Sequence, residues 1–155
     1  MDINFFNSVL RACDEVVFQV FGLKGQRGRL HLKKGPFLPE DILIIFQVQG
    51  DEVTPVALFL EQRLGIDLAS QLLGSISVTS LTDLARSALG ELGNMIMGRA
   101  VNLLAAEGTR VTISGSKVLT GRELQADPCA SEDKRCLVIP FEFGRGRIEI
   151  NVPLG

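Results

Sequence analysis

Ser87, Glu91 and Asn94 fall at helical spacing within the segment 81–107. Residues three and four apart stack on one helix face. A helix here therefore presents an acid and a carboxamide side by side, with a hydroxyl one turn earlier. Gly90, Gly93 and Gly98 punctuate the same segment. A glycine inside a helix costs roughly 1 kcal/mol relative to alanine, so three of them imply close approach by something else. An outward acid and amide above a floor of small residues form a site that a flat surface can meet closely.

No rival constellation competes with this one. His31 is the single histidine and has no paired acid beside it, which reads as a surface or strand histidine. No His/Cys/Asp spacing fits a zinc or iron site, and no glycine-rich phosphate loop of the Walker type occurs. Arg145 and Arg147 flank a turn, and Glu132 and Asp133 sit in a polar stretch. All four are read as solvated charges. Met95 and Met97 are read as packing residues.

Composition narrows the class. The 155 residues suit a single domain, 1–155. The chain is 46% hydrophobic with 9 Phe, enough to fill a core that buries roughly 70% of the unfolded surface. The mean hydropathy of +0.25 leans towards a homodimer. The net charge of −2 and the absence of a basic cluster exclude a nucleic-acid face. Apolar runs stay far below the roughly 20 residues of a membrane span. The N-terminus shows no secretory signal, so a cytoplasmic protein is expected, with no membrane partner. The cysteine count of 3, without a CxxC, is expected to mean free thiols. Cys13 belongs on the buried side of a first helix. Cys129 and Cys136 flank a polar loop and are near enough in sequence to meet.

The elements that position the acid and amide follow from periodicity. Residues 4–21 repeat apolar positions at three- and four-residue steps and predict a helix, closed by Gly22. Residues 29–33 alternate weakly, and Lys34-Gly35-Pro36 reads as a turn. Residues 42–48 and 53–60 predict an antiparallel hairpin, with Pro55 at an edge or bulge. Residues 61–73 predict a second helix, closed by Gly74. The long helix follows, with Ser80 as its N-cap and Asp83 completing a capping-box-like pattern. Its core stripe is Ala85, Leu89, Leu92, Ile96, Ala100 and Leu103, which turns Ser87, Glu91, Asn94 and Gly98 outward. Residues 110–114 and 117–120 alternate weakly, 121–134 read as a loop, and 136–143 with 147–152 predict a hairpin around Gly144-Arg145-Gly146. The pattern is α+β, an antiparallel sheet packed with helices.

An acid and an amide three apart are common on solvated helix faces, so the pair alone identifies nothing. The run Ser87-x3-Glu91-x2-Asn94, within Ala88-Leu89-Gly90-Glu91-Leu92-Gly93-Asn94-Met95-Ile96-Met97-Gly98, resembles the signature helix of the CheC/CheX/FliY chemotaxis phosphatases. The opening helix, the 42–60 strand pair, Ala69-Ser70-Gln71-Leu72-Leu73-Gly74 and Val138-Ile139-Pro140-Phe141-Glu142 are similar in order and spacing, so the likeness covers nearly the whole chain. A single Glu-x2-Asn copy is similar to the CheX branch. One departure stands out: the family pattern has a proline a little over twenty residues beyond the asparagine, where this chain has Gly115-Ser116-Lys117.

The resemblance implies a CheC/CheX-like single domain that dephosphorylates the aspartyl phosphate of a CheY-type response regulator, ending a chemotaxis or two-component signal. It implies no cofactor of its own, since the partner brings Mg²⁺ and a lysine. It makes Asn94 the group that positions the attacking water, through a carbonyl that accepts and an amide that donates. It makes Glu91 the group that pairs with the partner's lysine. Ser87 supports the helix surface, and Gly90 and Gly98 admit the partner's backbone. It also implies a homodimer through strand or sheet edges. The alternative is a non-catalytic module of the same fold that docks a regulator without hydrolysing it. A third reading, a flagellar switch-like subunit, lacks the extra docking segment expected of one.

Overall fold

The computed structural model describes residues 3–34, 40–74, 77–121, 123–124 and 135–153. The expected turn around Gly35-Pro36 and most of the expected 121–134 loop, with Cys129, Glu132 and Asp133, lie outside them. The described elements are α1 (Ile3–Phe21), β1 (Gln26–Arg27), β2 (His31–Lys34), β3 (Ile42–Gln49), β4 (Val53–Leu60), α2 (Gln62–Leu72), α3 (Asp83–Ala106), β5 (Thr112–Ile113), β6 (Lys117–Leu119), β7 (Arg135–Glu142) and β8 (Arg147–Pro153). The fold is α+β, with every strand pair among the described residues antiparallel.

The strand order is β1-β7-β8-β4-β3-β5, with β2 also on β7 and β6 also on β3. The period of 2 along each strand splits the sheet into two faces. Ile42, Ile44, Phe46, Val56, Leu58, Ile148 and Ile150 point to one side and form the main core with the helices. Leu43, Ile45, Ala57 and Phe59 point to the other, where Leu119 and Leu124 cover them. The expected 42–60 hairpin is present, in the register Ile42↔Leu60 to Gln49↔Val53. Pro55 does not make β4 an edge strand, because β8 flanks it. The β4–β8 register stops at Ala57↔Asn151, so the missing N–H of Pro55 falls beyond the paired stretch.

Most boundaries shift by a residue or two, and the larger departures from the expected elements are at β1, β2 and the start of α3. The weak alternation at 29–33 becomes β2, shifted to His31–Lys34, and β1 is an additional strand with no counterpart in the expected elements. A two-residue strand has too few positions to show a period. α3 begins at Asp83, two residues late, and its N-cap is Thr82 rather than Ser80. The Thr82 Oγ1 accepts the Ala85 N–H at 3.1 Å, which satisfies one orphan donor. Asp83 then sits in the first turn, where a negative charge suits the helix dipole.

α1 lies along α3, and its buried side includes Phe6, Val9, Leu10, Cys13 and Val17. Cys13 is a free thiol with no exposure. Burial, with a smaller contribution from the charge of Asp14, pushes its pKa up to about 12, so it stays protonated and inert at neutral pH. At the surface of the seam Glu15 accepts from Arg99 Nε at 2.8 Å and Arg11 Nε at 2.9 Å. The Arg99 bond first, then Arg11 and both charges, holds the Glu15 carboxyl below its usual range.

A lowered folded pKa gives stability that is present above the unfolded value and lost as pH falls through the folded one. The pair is part exposed, so its contribution is about 0.5 kcal/mol. Glu15→Gln is therefore expected to lower the urea midpoint slightly at neutral pH. The deficit should close as pH drops below the ordinary value of 4.5. Paired urea titrations at the two pH values check this.

Candidate active site

The rotation of α3 decides what faces out. Ala85, Ala88, Leu89, Leu92, Ile96, Met97, Ala100 and Leu104 are buried against the sheet and the other helices. Leu103, expected in the core, is only half-buried at its margin. Gly93 is also buried. A Cβ there would stand 2.7 Å from Ile44 Cγ2 and 2.9 Å from Phe46 Cζ, so its hydrogen lets the helix settle onto β3.

What remains is a narrow exposed stripe. Glu91 and Ser87 are exposed, and Asn94 and Gly98 are half-buried. Glu91 and Asn94 stand about 60° apart around the axis and one short step along it. Among the described residues neither side chain has an ion pair or hydrogen bond within the chain. The acid and the amide are thus side by side, outward and unengaged. The pair can accept a cationic donor at the carboxylate, and can hold a water between an acceptor and a donor at the carboxamide.

The glycines divide. Beyond Gly98 a Cβ would meet nothing within 4 Å, leaving an open approach from outside. Gly90 is buried, and a Cβ there would stand 3.0 Å from Ser116 Oγ. What Gly90 admits within this chain is the β5–β6 turn. Met95 also departs from its reading as a packing residue: it is 40% exposed, while Met97 is fully buried. Met95 is four residues beyond Glu91 and so shares its stripe, a signal that the spacing carried. Leu84, 57% exposed, lies two turns before Glu91 on the same side. Apolar side chains therefore bracket the polar pair.

Beside Glu91 an open hollow is lined by Arg86, Ser87, Gly90, Ser116 and Val118. Arg86 Nη2 donates to the Val118 carbonyl at 2.7 Å and to Glu123 Oε1 at 2.6 Å, and so ties β6 to the helix. The turn that lacks a proline is held by hydroxyls instead. Gln47 N donates to Ser114 Oγ at 2.8 Å, and Ser116 Oγ donates to the Gly90 carbonyl at 3.1 Å. A larger cleft of about 580 Å³ opens between Asp51, Gly108 and Arg110. It lies about 25 Å along α3 from Glu91 and is separate from the pair. Among the described residues no cluster of three His, Cys, Asp or Glu could hold a metal ion, and no helix is long and apolar enough to cross a membrane. His31 is exposed, its Nδ1 2.9 Å from the Arg29 carbonyl oxygen.

Known proteins share the sequence pattern and the fold of this chain. A family model described as chemotaxis phosphatase CheX matches residues 42–142, which span both Glu91 and Asn94. The chain is 25% identical over 125 residues to the CheY-P phosphatase CheX of Thermotoga maritima, covering 81% of each protein. A CheC-like chemotaxis protein from Shewanella oneidensis superposes with a TM-score of 0.79 at 21% identity, covering 99% of both chains. A CheX–CheY–BeF3–Mg²⁺ complex from Borrelia burgdorferi matches with a TM-score of 0.75 at 19% identity, covering 96% of both chains.

The two outward-lying and inward-lying glycines give opposite expectations. Gly98→Ala places its methyl in open space and gains helix propensity, so the protein should be stabilised by about 0.5–1 kcal/mol. Gly93→Ala drives a methyl into two fully buried side chains, and should be destabilised by about 1–3 kcal/mol despite the same propensity gain. Thermal and urea unfolding of the two variants check the contrast.

Proposed function

The chain belongs to the CheX family of chemotaxis phosphatases, and on that premise we propose that it hydrolyses the aspartyl phosphate of a CheY-type response regulator. The observation that carries this reading is the unengaged pair of an exposed Glu91 and a half-buried Asn94, on a helix whose opposite face is buried and fixes its rotation. An acyl phosphate is a high-energy species. Its transfer to water needs in-line placement and charge stabilisation more than a strong base. Asn94 supplies the placement: its carboxamide oxygen accepts from the attacking water, and its amide donates to that water or to a phosphoryl oxygen. Glu91 docks the helix by pairing with the regulator's lysine, which sets register across the interface. The divalent cation comes with the regulator, so the chain needs no cofactor of its own. Ser87 and the open surface at Gly98 border the docked partner. The reaction belongs in the cytoplasm, where the regulator is phosphorylated.

We also propose a homodimer. The support is β2, an outermost strand of the described sheet, which carries Leu32 at 57% exposure, with Leu30 at 49% just before it. Exposed apolar side chains at a sheet edge favour pairing with another strand.

Two measurements test these readings. Decay of a phosphorylated receiver is followed with and without the protein. Wild type should accelerate it. Asn94→Ala should remove about 100-fold or more of the acceleration while still binding the receiver, and Glu91→Ala should weaken association by roughly tenfold or more. A wild type that binds but leaves the decay rate unchanged would reduce the chain to a docking module. Light scattering should give twice the 16.8 kDa chain mass, and Leu32→Glu should return it to the single-chain value.

A further inference from the structure

The β5–β6 turn crosses α3 at the helical turn that carries the functional pair. Ser116 Oγ donates to the Gly90 carbonyl at 3.1 Å. In an α-helix that same carbonyl is the acceptor of the Asn94 N–H, and α3 is helical throughout this stretch. The hydroxyl therefore holds, from outside, the acceptor that holds Asn94 from within. Three further features make the arrangement specific. Gly90 leaves just enough room, since a Cβ would stand 3.0 Å from the hydroxyl oxygen. The far end of the turn is fixed to β3, where Gln47 N donates to Ser114 Oγ at 2.8 Å and Ser114 N donates to the Gln47 carbonyl at 2.9 Å. Val118, two residues on from Ser116, packs against the helix side of the core.

Resting on the phosphatase reading above, we propose that Ser116 is a positioning residue for the reaction: its hydroxyl clamps the Gly90–Asn94 turn and so holds the Asn94 carboxamide in place for the attacking water. Ser116 is assigned no direct contact with the reacting atoms. It acts through a backbone carbonyl, so its removal leaves Glu91 free to dock. The effect falls on turnover rather than on affinity.

Receiver dephosphorylation is measured at steady state for wild type, Ser116→Ala, Ser116→Thr, Gly90→Ala and the Ser116→Ala/Gly90→Ala double variant, with Asn94→Ala as the inactive reference and circular dichroism as the folding control. Ser116→Ala is expected to lower kcat roughly tenfold, with KM and affinity for a beryllofluoride-activated receiver within about twofold of wild type. Ser116→Thr, which keeps the hydroxyl, should recover most of kcat. Gly90→Ala should displace the hydroxyl and cost a similar factor. In the double variant the two losses should not multiply, because one contact is removed only once. An active wild type with an unimpaired Ser116→Ala overturns the proposal alone, as does a loss shared equally by affinity or two losses that multiply. A wild type that fails to accelerate the decay overturns the phosphatase reading and the proposal with it.

Discussion

The closeness of α3 to β3 is the constraint on which the rest of the structure depends. Gly93 sets it: with no side chain there, the helix backbone rests on Ile44 and Phe46. Once the helix is that near, its rotation is no longer adjustable. Turning it by one residue would lift Leu89, Leu92 or Ile96, all nearly fully buried, towards water at about 1.5–3 kcal/mol for each large side chain. No surface contact of Glu91 or Asn94 could offset that. The outward direction of the pair is thus decided by apolar packing on the opposite side of the helix.

A stiff helix suits a site with so little machinery of its own. Most of the charge that a phosphoryl transfer requires would arrive with the regulator, leaving this chain to place two groups accurately. The surroundings of α3 serve accuracy. Thr82 caps its start, the Glu15 carboxylate ties its flank to α1, and Arg86 binds it to β6. These contacts hold the helix before the pair, at Thr82 and Arg86, and after it, at Arg99. A helix held along its length displaces its side chains less than a loop would.

Much of this was legible in the sequence because it depends on local spacing. The helices, the 42–60 hairpin and the outward stripe of Ser87, Glu91, Asn94 and Gly98 follow from periods of 3.6 and 2. The illegible parts are contacts between distant segments. Gly90 and Gly98 look alike in sequence, yet one lies under Ser116 and the other faces open space. Nothing near Gly90 in the chain announces a hydroxyl 26 positions away. The choice of Thr82 over Ser80 as cap is similarly tertiary: both residue types can cap, and where the helix settles on the sheet decides which one does. Met95 is the exception. Its four-residue step from Glu91 was visible, and residue type outweighed position in reading it as core.

The differing exposures of the pair match what each group can tolerate. A carboxamide is neutral, so holding Asn94 half-buried costs little and restricts its rotamers, which suits a group that must aim. A carboxylate is costly to desolvate, and Glu91 stands exposed. Docking of a partner there would remove that water, and only an opposite charge could offset the loss. A partner lacking a cation at that point would meet an uncompensated penalty, whereas a receiver presenting a lysine would not. Under the proposed function the exposed acid would discriminate before any chemistry occurs, and the amide beside it would act only on the partner so admitted.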